Sequence, residues 1–130
     1  MMLQIDGLTE EEFQALSDEE MDELVFCTRP VVFRVGTAEI LGHFRKLEES
    51  VEIELAHIEG GGEGVLPLIW KLASSYASTR GFSELDWYVH AVNCVNPNPK
   101  LRRVLLRKKF VIVERDCSTV FHLKQKLPQL

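Results

Sequence analysis

The amino-acid sequence predicts one α/β domain spanning residues 1–130. Its length suits a single unit built around one hydrophobic core. Stretches with apolar residues at every second position, the period of a strand, alternate with stretches of helical period. The sequence contains no internal repeat, low-complexity tract or linker. The predicted order of elements is β-α-α-β-β-β-α-β-α-β-β.

Residues 1–28 are predicted to form an acidic region in which a short strand is followed by helices. Thr9 with Glu12, and Ser17 with Glu20, form two capping-box patterns, which predict two short helices. The region carries nine acidic residues and no Lys or Arg. Acids in a first helical turn interact favourably with the helix dipole, so we interpret them as part of solvated helical faces.

The sheet and two longer helices are predicted within residues 30–127. Runs rich in β-branched and aromatic residues indicate the strands, and Pro67 and Pro99 suit first helical turns. The predicted strands are residues 31–35, 40–50, 51–59, 84–95, 110–115 and 119–127, and the predicted helices are 65–82 and 99–110.

The strand predicted at residues 51–59 contains the two candidates for a general base, Glu54 and His57. Histidine and glutamate are both residue types that enzymes use to remove protons. The structural alternatives are a solvated carboxylate for Glu54 and a half-buried histidine for His57. Strict alternation would place Val51, Ile53, Leu55 and His57 on one face and Glu52, Glu54, Ala56 and Ile58 on the other.

Charge and cysteine content narrow the class of protein. The net charge is −5, yet residues 100–109 hold six cations and no acid. That basic run fits a solvated helix face; nucleic-acid binding is disfavoured because the whole chain is acidic and no nucleic-acid motif accompanies the run. Three scattered cysteines favour a reducing compartment. With no secretory signal pattern and no long apolar run, we expect a cytoplasmic protein without a membrane span.

Four glycines lie between the third strand of the hairpin region and the next helix: Gly60, Gly61, Gly62 and Gly64. A strand, a glycine-rich turn and a helix N-terminus together form a phosphate site. A P-loop would need Lys followed by Ser or Thr after the last glycine, where Val65 and Leu66 stand. A dinucleotide fingerprint is disfavoured because three antiparallel strands are predicted first. A flexible turn without a ligand remains the alternative, since Glu59 and Glu63 would repel an anion.

From Pro30 to Leu127 the sequence resembles the GCN5-related N-acetyltransferase family. The family loop Gln/Arg-x-x-Gly-x-Gly/Ala is matched at 59–64, with Gly62 and Gly64 in the two small positions. The other matching segments, in order, are "GHF" at 42–44, "YASTRGFSELDWYVHAVN" at 76–93 and "NPKLRRVLLRKKFVIV" at 98–113.

The resemblance implies a central mixed, mostly antiparallel sheet flanked by helices, with acetyl-CoA as co-substrate. Gly60, Gly61, Gly62, Glu63, Gly64 and Val65 would hold its pyrophosphate, and the backbone of Ala56, His57 and Ile58 its arm and thioester. Asn98 would cap the last helix, contact the cofactor arm, or do both, and the basic run could contact the adenosine 3′-phosphate. His90 would be a relay or a packed polar residue, the latter being favoured.

The implied function is transfer of an acetyl group to an amine, either a small molecule or a protein N-terminus or lysine, with a homodimer as a further expectation. The sequence departs from the family at Glu59, at Glu63, at Leu105 where a general-acid Tyr is usual, and at Lys109 where Gly is usual. These departures favour an alternative, a non-catalytic member that binds CoA or a protein partner. No metal site is predicted, since no two cysteines have metal-ligand spacing.

Overall fold

The computed structural model describes residues 3–27, 29–59, 64–91 and 99–128. The order of elements is the predicted one with one addition, a two-residue strand at Leu8–Thr9. In chain order the elements are β1 (Leu3–Ile5), β2 (Leu8–Thr9), α1 (Glu10–Gln14), α2 (Asp18–Val25), β3 (Val31–Val35), β4 (Ala38–Lys46), β5 (Ser50–Glu59), α3 (Leu66–Thr79), β6 (Glu84–Val89), α4 (Pro99–Arg107), β7 (Val111–Arg115) and β8 (Ser118–Lys126).

The eight strands form one sheet in the order β2-β1-β3-β4-β5-β6-β8-β7. Strands β5 and β6 run parallel, and the other neighbouring pairs described are antiparallel. Parallel neighbours need a long crossover connection, and α3 lies in the chain segment that links β5 to β6. The predicted fold class is therefore confirmed: an α/β protein with a central mixed, mostly antiparallel sheet flanked by helices.

Both predicted capping boxes are present at the two acidic helices. The Thr9 hydroxyl accepts from the Glu12 backbone N–H at 3.1 Å, and Glu12 accepts from the Thr9 N–H at the same distance. Ser17 and Glu20 make the equivalent pair at 3.1 and 3.0 Å. Each box satisfies two N–H groups that a helix start would otherwise leave unpaired, which fixes where these short helices begin.

Helices α1, α2 and α3 pack on the same face of the sheet. A small cavity of about 30 Å³ is bordered by Phe13 of α1, Val25 of α2, Ile69 of α3 and the strand residues Phe33 and Ile53. On β5 and β6 the odd-numbered side chains fill this face; they are Val51, Ile53, Leu55, Leu85, Trp87 and Val89, each 2% exposed or less. Leu101 and Leu105 of α4 belong to the same core cluster.

Even-numbered residues of β5 and β6 lie on the opposite face of the sheet and are mostly polar. Glu52 and Glu54 stand on β5, and Asp86 and Tyr88 stand beside them on β6. His90 follows the last residue of β6. We call this set, together with the side chains that contact it, the polar face.

A β-bulge interrupts the alternation of β5. Leu41 pairs with Ala56 and Glu39 pairs with Glu59, so two steps on β4 oppose three steps on β5. The extra residue falls at His57, whose φ of 50° is left-handed. The prediction that His57 continues the buried face of Val51, Ile53 and Leu55 is wrong, because the bulge turns its side chain out and leaves it exposed.

Lys109 stands at the end of α4 in a left-handed conformation, with a φ of 74°. The N–H of Phe110 bonds the carbonyl of Leu105 at 3.0 Å, closing the helix. Glycine is the usual residue at such a position because it has no side chain to strain. Lys109 therefore adopts a backbone conformation in which glycine is more usual.

The glycine of "GHF" occupies a tight place on the helix-covered face. A Cβ added to Gly42 would lie 3.0 Å from Phe33 Cε2 and 3.2 Å from both Leu55 Cδ2 and Phe44 Cε2. We expect Gly42→Ala to lower the free energy of unfolding by about 1–3 kcal/mol, measured by urea denaturation, because the two rings and the leucine must shift. The exposed neighbour His43→Ala should change it by less than about 0.5 kcal/mol. Equal stability of the two variants would contradict the tight packing.

Candidate active site

The parallel pairing of β5 and β6 ends part-way along β5. Paired residues run from Ser50 with Glu84 to Leu55 with Val89, and the His90 N–H bonds the Leu55 carbonyl at 2.9 Å. Strand β5 then continues to Glu59 against β4, whereas β6 stops at Val89. The regular pairing of the two strands therefore ends at Leu55 and Val89, and we call this place, at the carboxyl ends of the strands, the gap. Ligands bind at the carboxyl ends of strands in open α/β sheets.

Glu54 and His90 meet at the start of this gap. His90 Nε2 lies 2.6 Å from Glu54 Oε2, and the side chains of the two residues are 32% and 35% exposed. Glu54 is one of the two predicted bases, and the structure joins it to His90 rather than to His57. A carboxylate bonded to an imidazole and still reached by solvent is an arrangement that can accept and pass on a proton.

Arg115 approaches Glu54 from the end of β7. Its Nη2 donates to Glu52 Oε2 at 3.1 Å, and its Nε lies 4.0 Å from Glu54 Oε2. Burial disfavours the charged guanidinium, but the adjacent Glu52 and Glu54 carboxylates outweigh it and raise the pKa of Arg115. The arginine therefore stays charged beside the candidate base.

Tyr88 lies between a cation and an aromatic ring. The Arg115 guanidinium carbon is 3.8 Å from the Tyr88 ring centroid, and the His122 ring stacks on Tyr88 at 4.6 Å between centroids. His122 Nε2 in turn lies 3.4 Å from Asp86 Oδ1. Burial raises the pKa of the Tyr88 phenol, although the Arg115 cation opposes this, so the phenol stays protonated near neutral pH.

The predicted cofactor residues of β5 lie beside the gap, at the bulge. Ala56 is the last residue paired with β4 in regular register, and His57 and Ile58 form the irregular stretch before Glu59. A bulge leaves its extra residue out of the hydrogen-bond ladder. Backbone polar groups in this stretch are therefore candidates for hydrogen bonds to a bound ligand.

Helix α3 begins close after β5 with an uncapped N-terminus. Val65 is its N-cap residue and makes no side-chain cap, its first turn contains no acid, and Pro67 stands at the start. Gly64 is exposed and Val65 is buried. Unpaired N–H groups and the positive end of the helix dipole suit an anionic group here. The predicted ligands Gly60, Gly61, Gly62, Glu63 and Asn98 lie outside the described residues.

Sequence reasoning did not find Arg115 or Tyr88. Both belong to strands that are far from β5 along the chain, and period-two patterns show which face a residue occupies but not which strand lies next to it. The charged and aromatic residues at alternate positions of residues 84–90 were the available signal. Read as a polar stripe next to the Glu52 and Glu54 stripe, they would have indicated one shared polar face.

The described residues form neither a metal-ion cluster nor a membrane-spanning helix. Within the described ranges, no group of three or more His, Cys, Asp or Glu side chains is arranged to hold a metal ion. None of the helices formed by these residues is long and apolar enough to cross a membrane.

Comparison with solved structures shows a distant structural similarity. No protein-family model and no curated protein matches the chain. The chain is similar to the crystal structure of a "putative N-acetyltransferase from Lactobacillus plantarum", with 12% sequence identity and a TM-score of 0.42. The alignment covers 92% of this chain and 82% of that chain. Similarity this distant does not establish an activity, so function must be argued from the site.

Proposed function

We propose that this protein transfers an acetyl group from acetyl-CoA to an amine, with Glu54 as the general base. The observation that supports this most strongly is the position of the Glu54–His90 pair, at the point where β5 and β6 separate. A base is needed there because amines are largely protonated at neutral pH and must lose a proton before they attack.

The residues beside the gap fit acetyl-CoA. When bound, acetyl-CoA supplies the acetyl group as an activated thioester. The uncapped first turn of α3, with the glycine loop that precedes it in sequence, would hold the negatively charged pyrophosphate. The backbone at Ala56, His57 and Ile58 would hold the arm and the thioester, because the bulge frees polar groups there. Asn98 is a further candidate contact with the arm.

The geometry of Glu54 suggests how a proton would be removed. Both contacts of its carboxylate, with His90 and with Arg115, involve Oε2. In the part of the chain that is described, Oε1 therefore remains to take a proton from the ammonium group of the acceptor. His90 holds the carboxylate in place and can share the proton that Glu54 gains. As the N–C bond forms and the C–S bond breaks, the nitrogen would release a second proton. That proton would neutralise the leaving thiolate.

The alternative is a protein of the same fold that binds CoA or a protein partner without catalysis. Leu105, where the resemblance leads one to expect a tyrosine acid, is fully buried and apolar. A general acid from α4 is therefore excluded at that position, and water would have to protonate the thiolate. The CoA-binding form of the alternative shares cofactor binding with the acetyltransferase and differs from it in turnover. The form that binds a protein partner differs in cofactor binding as well.

Calorimetric titration of the purified protein with acetyl-CoA tests cofactor binding. We expect a dissociation constant in the micromolar range, at least about tenfold weaker for Gly64→Glu, because a carboxylate at the start of α3 repels the pyrophosphate. Gly64→Ser, which is neutral and small, is the matched control and should bind within about threefold of the wild type.

Three outcomes decide between the proposals. Binding that Gly64→Glu weakens, followed by turnover in a screen of amine acceptors, supports the acetyltransferase. Binding without turnover of small amines, protein N-termini or lysines supports the non-catalytic alternative. No binding at millimolar acetyl-CoA, for a protein shown to be folded, would exclude the acetyltransferase and leave the alternative that binds a protein partner.

A further inference from the structure

The β7–β8 hairpin places Arg115 over the polar face. Its turn is Asp116–Cys117, two residues with φ of 49° and 67°, between the paired residues Arg115 and Ser118. In the sheet order, β8 and β6 separate β7 from β5. The side chains of Arg115 and Glu52 both extend across this interval and meet at 3.1 Å.

Arg115 is held in this position by contacts on three sides. It donates to Glu52, it covers the Tyr88 ring, and it points its Nε towards Glu54. Its side chain is 23% exposed, and its Nε is buried without a hydrogen-bond partner in the described structure. A buried N–H without a partner costs free energy. A hydrogen bond from this N–H to a nearby acceptor would remove that cost and is therefore favoured.

We propose that Arg115 is a positioning residue for Glu54: from the end of β7 it fixes the carboxylate for proton transfer, together with His90. This proposal rests on the proposed role of Glu54 as the base. The distance of 4.0 Å from Arg115 Nε to Glu54 Oε2 exceeds a hydrogen bond by about 1 Å. Catalytic hydrogen bonds are often long in a free enzyme and shorten in its complex with substrate.

The consequence for Glu54 is geometric. His90 and Arg115 both lie near Oε2, so among the described residues no hydrogen bond or ion pair occupies Oε1. The titratable or charged groups of the described elements that face or adjoin Glu54 are His43 on β4, Glu52 on β5, Tyr88 and His90 on or after β6, Arg115 on β7 and, beyond Tyr88, His122 on β8.

Arg115→Met tests the proposal, because methionine keeps much of the length and removes the charge. We expect kcat to fall about 10- to 100-fold, with KM for acetyl-CoA changed less than about threefold. Arg115→Lys should recover part of kcat, because it restores the charge but not the planar fork.

Arg34→Met is the matched control, since Arg34 is a more exposed arginine that bonds Glu39 rather than the polar-face carboxylates. It should leave kcat within experimental error. Unchanged kcat in a folded Arg115→Met variant would overturn the proposal.

A measurement that needs no turnover separates this proposal from the proposed function. In ¹³C NMR of side-chain carboxyls at one fixed pH, we expect the Glu54 signal to shift in Arg115→Met and to stay in place in Arg34→Met, because only Arg115 lies close to Glu54. If the protein acetylates nothing and this shift is present, Glu54 is controlled by Arg115 but the acetyltransferase proposal fails. If the shift is absent, the positioning role fails whatever the activity.

Discussion

Glu54→Gln is expected to lower kcat by about 100- to 10 000-fold, the range that a positioned general base contributes. Glutamine keeps the size and can still contact His90, but it cannot take a proton from an ammonium group. Because Glu54 is not among the residues proposed to hold acetyl-CoA, the dissociation constant of acetyl-CoA should change by less than about twofold. The measurement is kcat against saturating amine, with calorimetry for the cofactor.

The control for this variant is Glu84→Gln, which removes the carboxylate at the first residue of β6. Glu84 pairs with Lys124 at 3.6 Å and lies at the opposite end of β6 from the gap. Its kcat should stay within about twofold of the wild type. If Glu54→Gln also retained kcat within a few-fold, Glu54 would not be the base, and the proton would have to leave through another group or through water.

Trp87→Ala is expected to have the largest effect on stability, a loss of about 3–5 kcal/mol in the free energy of unfolding. Trp87 is fully buried at the centre of the sheet, and its ring stacks on Trp70 of α3 at 4.9 Å between centroids. Its Nε1 donates to Gln125 Oε1 at 2.9 Å, so truncation also leaves the Gln125 amide without this donor. Urea denaturation followed by circular dichroism measures the change.

Trp87→Phe is the graded control, because phenylalanine keeps an aromatic ring against Trp70 but loses the hydrogen bond to Gln125. We expect its cost to lie clearly below that of alanine, at about 1–3 kcal/mol. A loss under about 1 kcal/mol for Trp87→Ala would mean that α3 is not packed on β6 through this stack.

The architecture could be predicted from sequence because its signals are local. The capping boxes at Thr9 and Ser17 each span four residues and determine where a helix starts. Alternation in residues 51–56 determines which side chains are buried. The two-residue strand β2 was missed because so short a pairing leaves no periodic pattern. The order of the strands in the sheet was not predicted, since no local pattern states which strands are neighbours.

The error at His57 has a different origin. A bulge is set by the pairing of β5 with β4, and one extra residue reverses the face of every position that follows it. Nothing in "ELAHIE" marks the place, because the left-handed residue is histidine rather than the glycine that usually signals one. An expectation based on strict alternation was therefore correct up to Ala56 and failed one residue later.

The candidate site was predicted in part. Glu54 was identified because it is an acid on the strand that the resemblance associates with the thioester. Its partner His90 was considered, but a packed polar role was favoured, since the distance between two strands cannot be read from either one. Arg115 was not predicted for the same reason, since β7 lies three positions from β5 in the sheet. The roles of residues 60–63 and Asn98 remain predictions.

The division of β5 and β6 into a buried odd-numbered face and a polar even-numbered face has an evolutionary consequence. Changes at Glu52, Glu54, Asp86 or Tyr88 alter the chemistry of the polar face without touching the helix-packed core. Changes at the intervening positions alter stability and leave those side chains in place. Adjacent residues of one strand therefore serve core packing and polar-face chemistry in turn. Because of this, a descendant of this protein could acquire a new specificity through single substitutions while its fold is preserved.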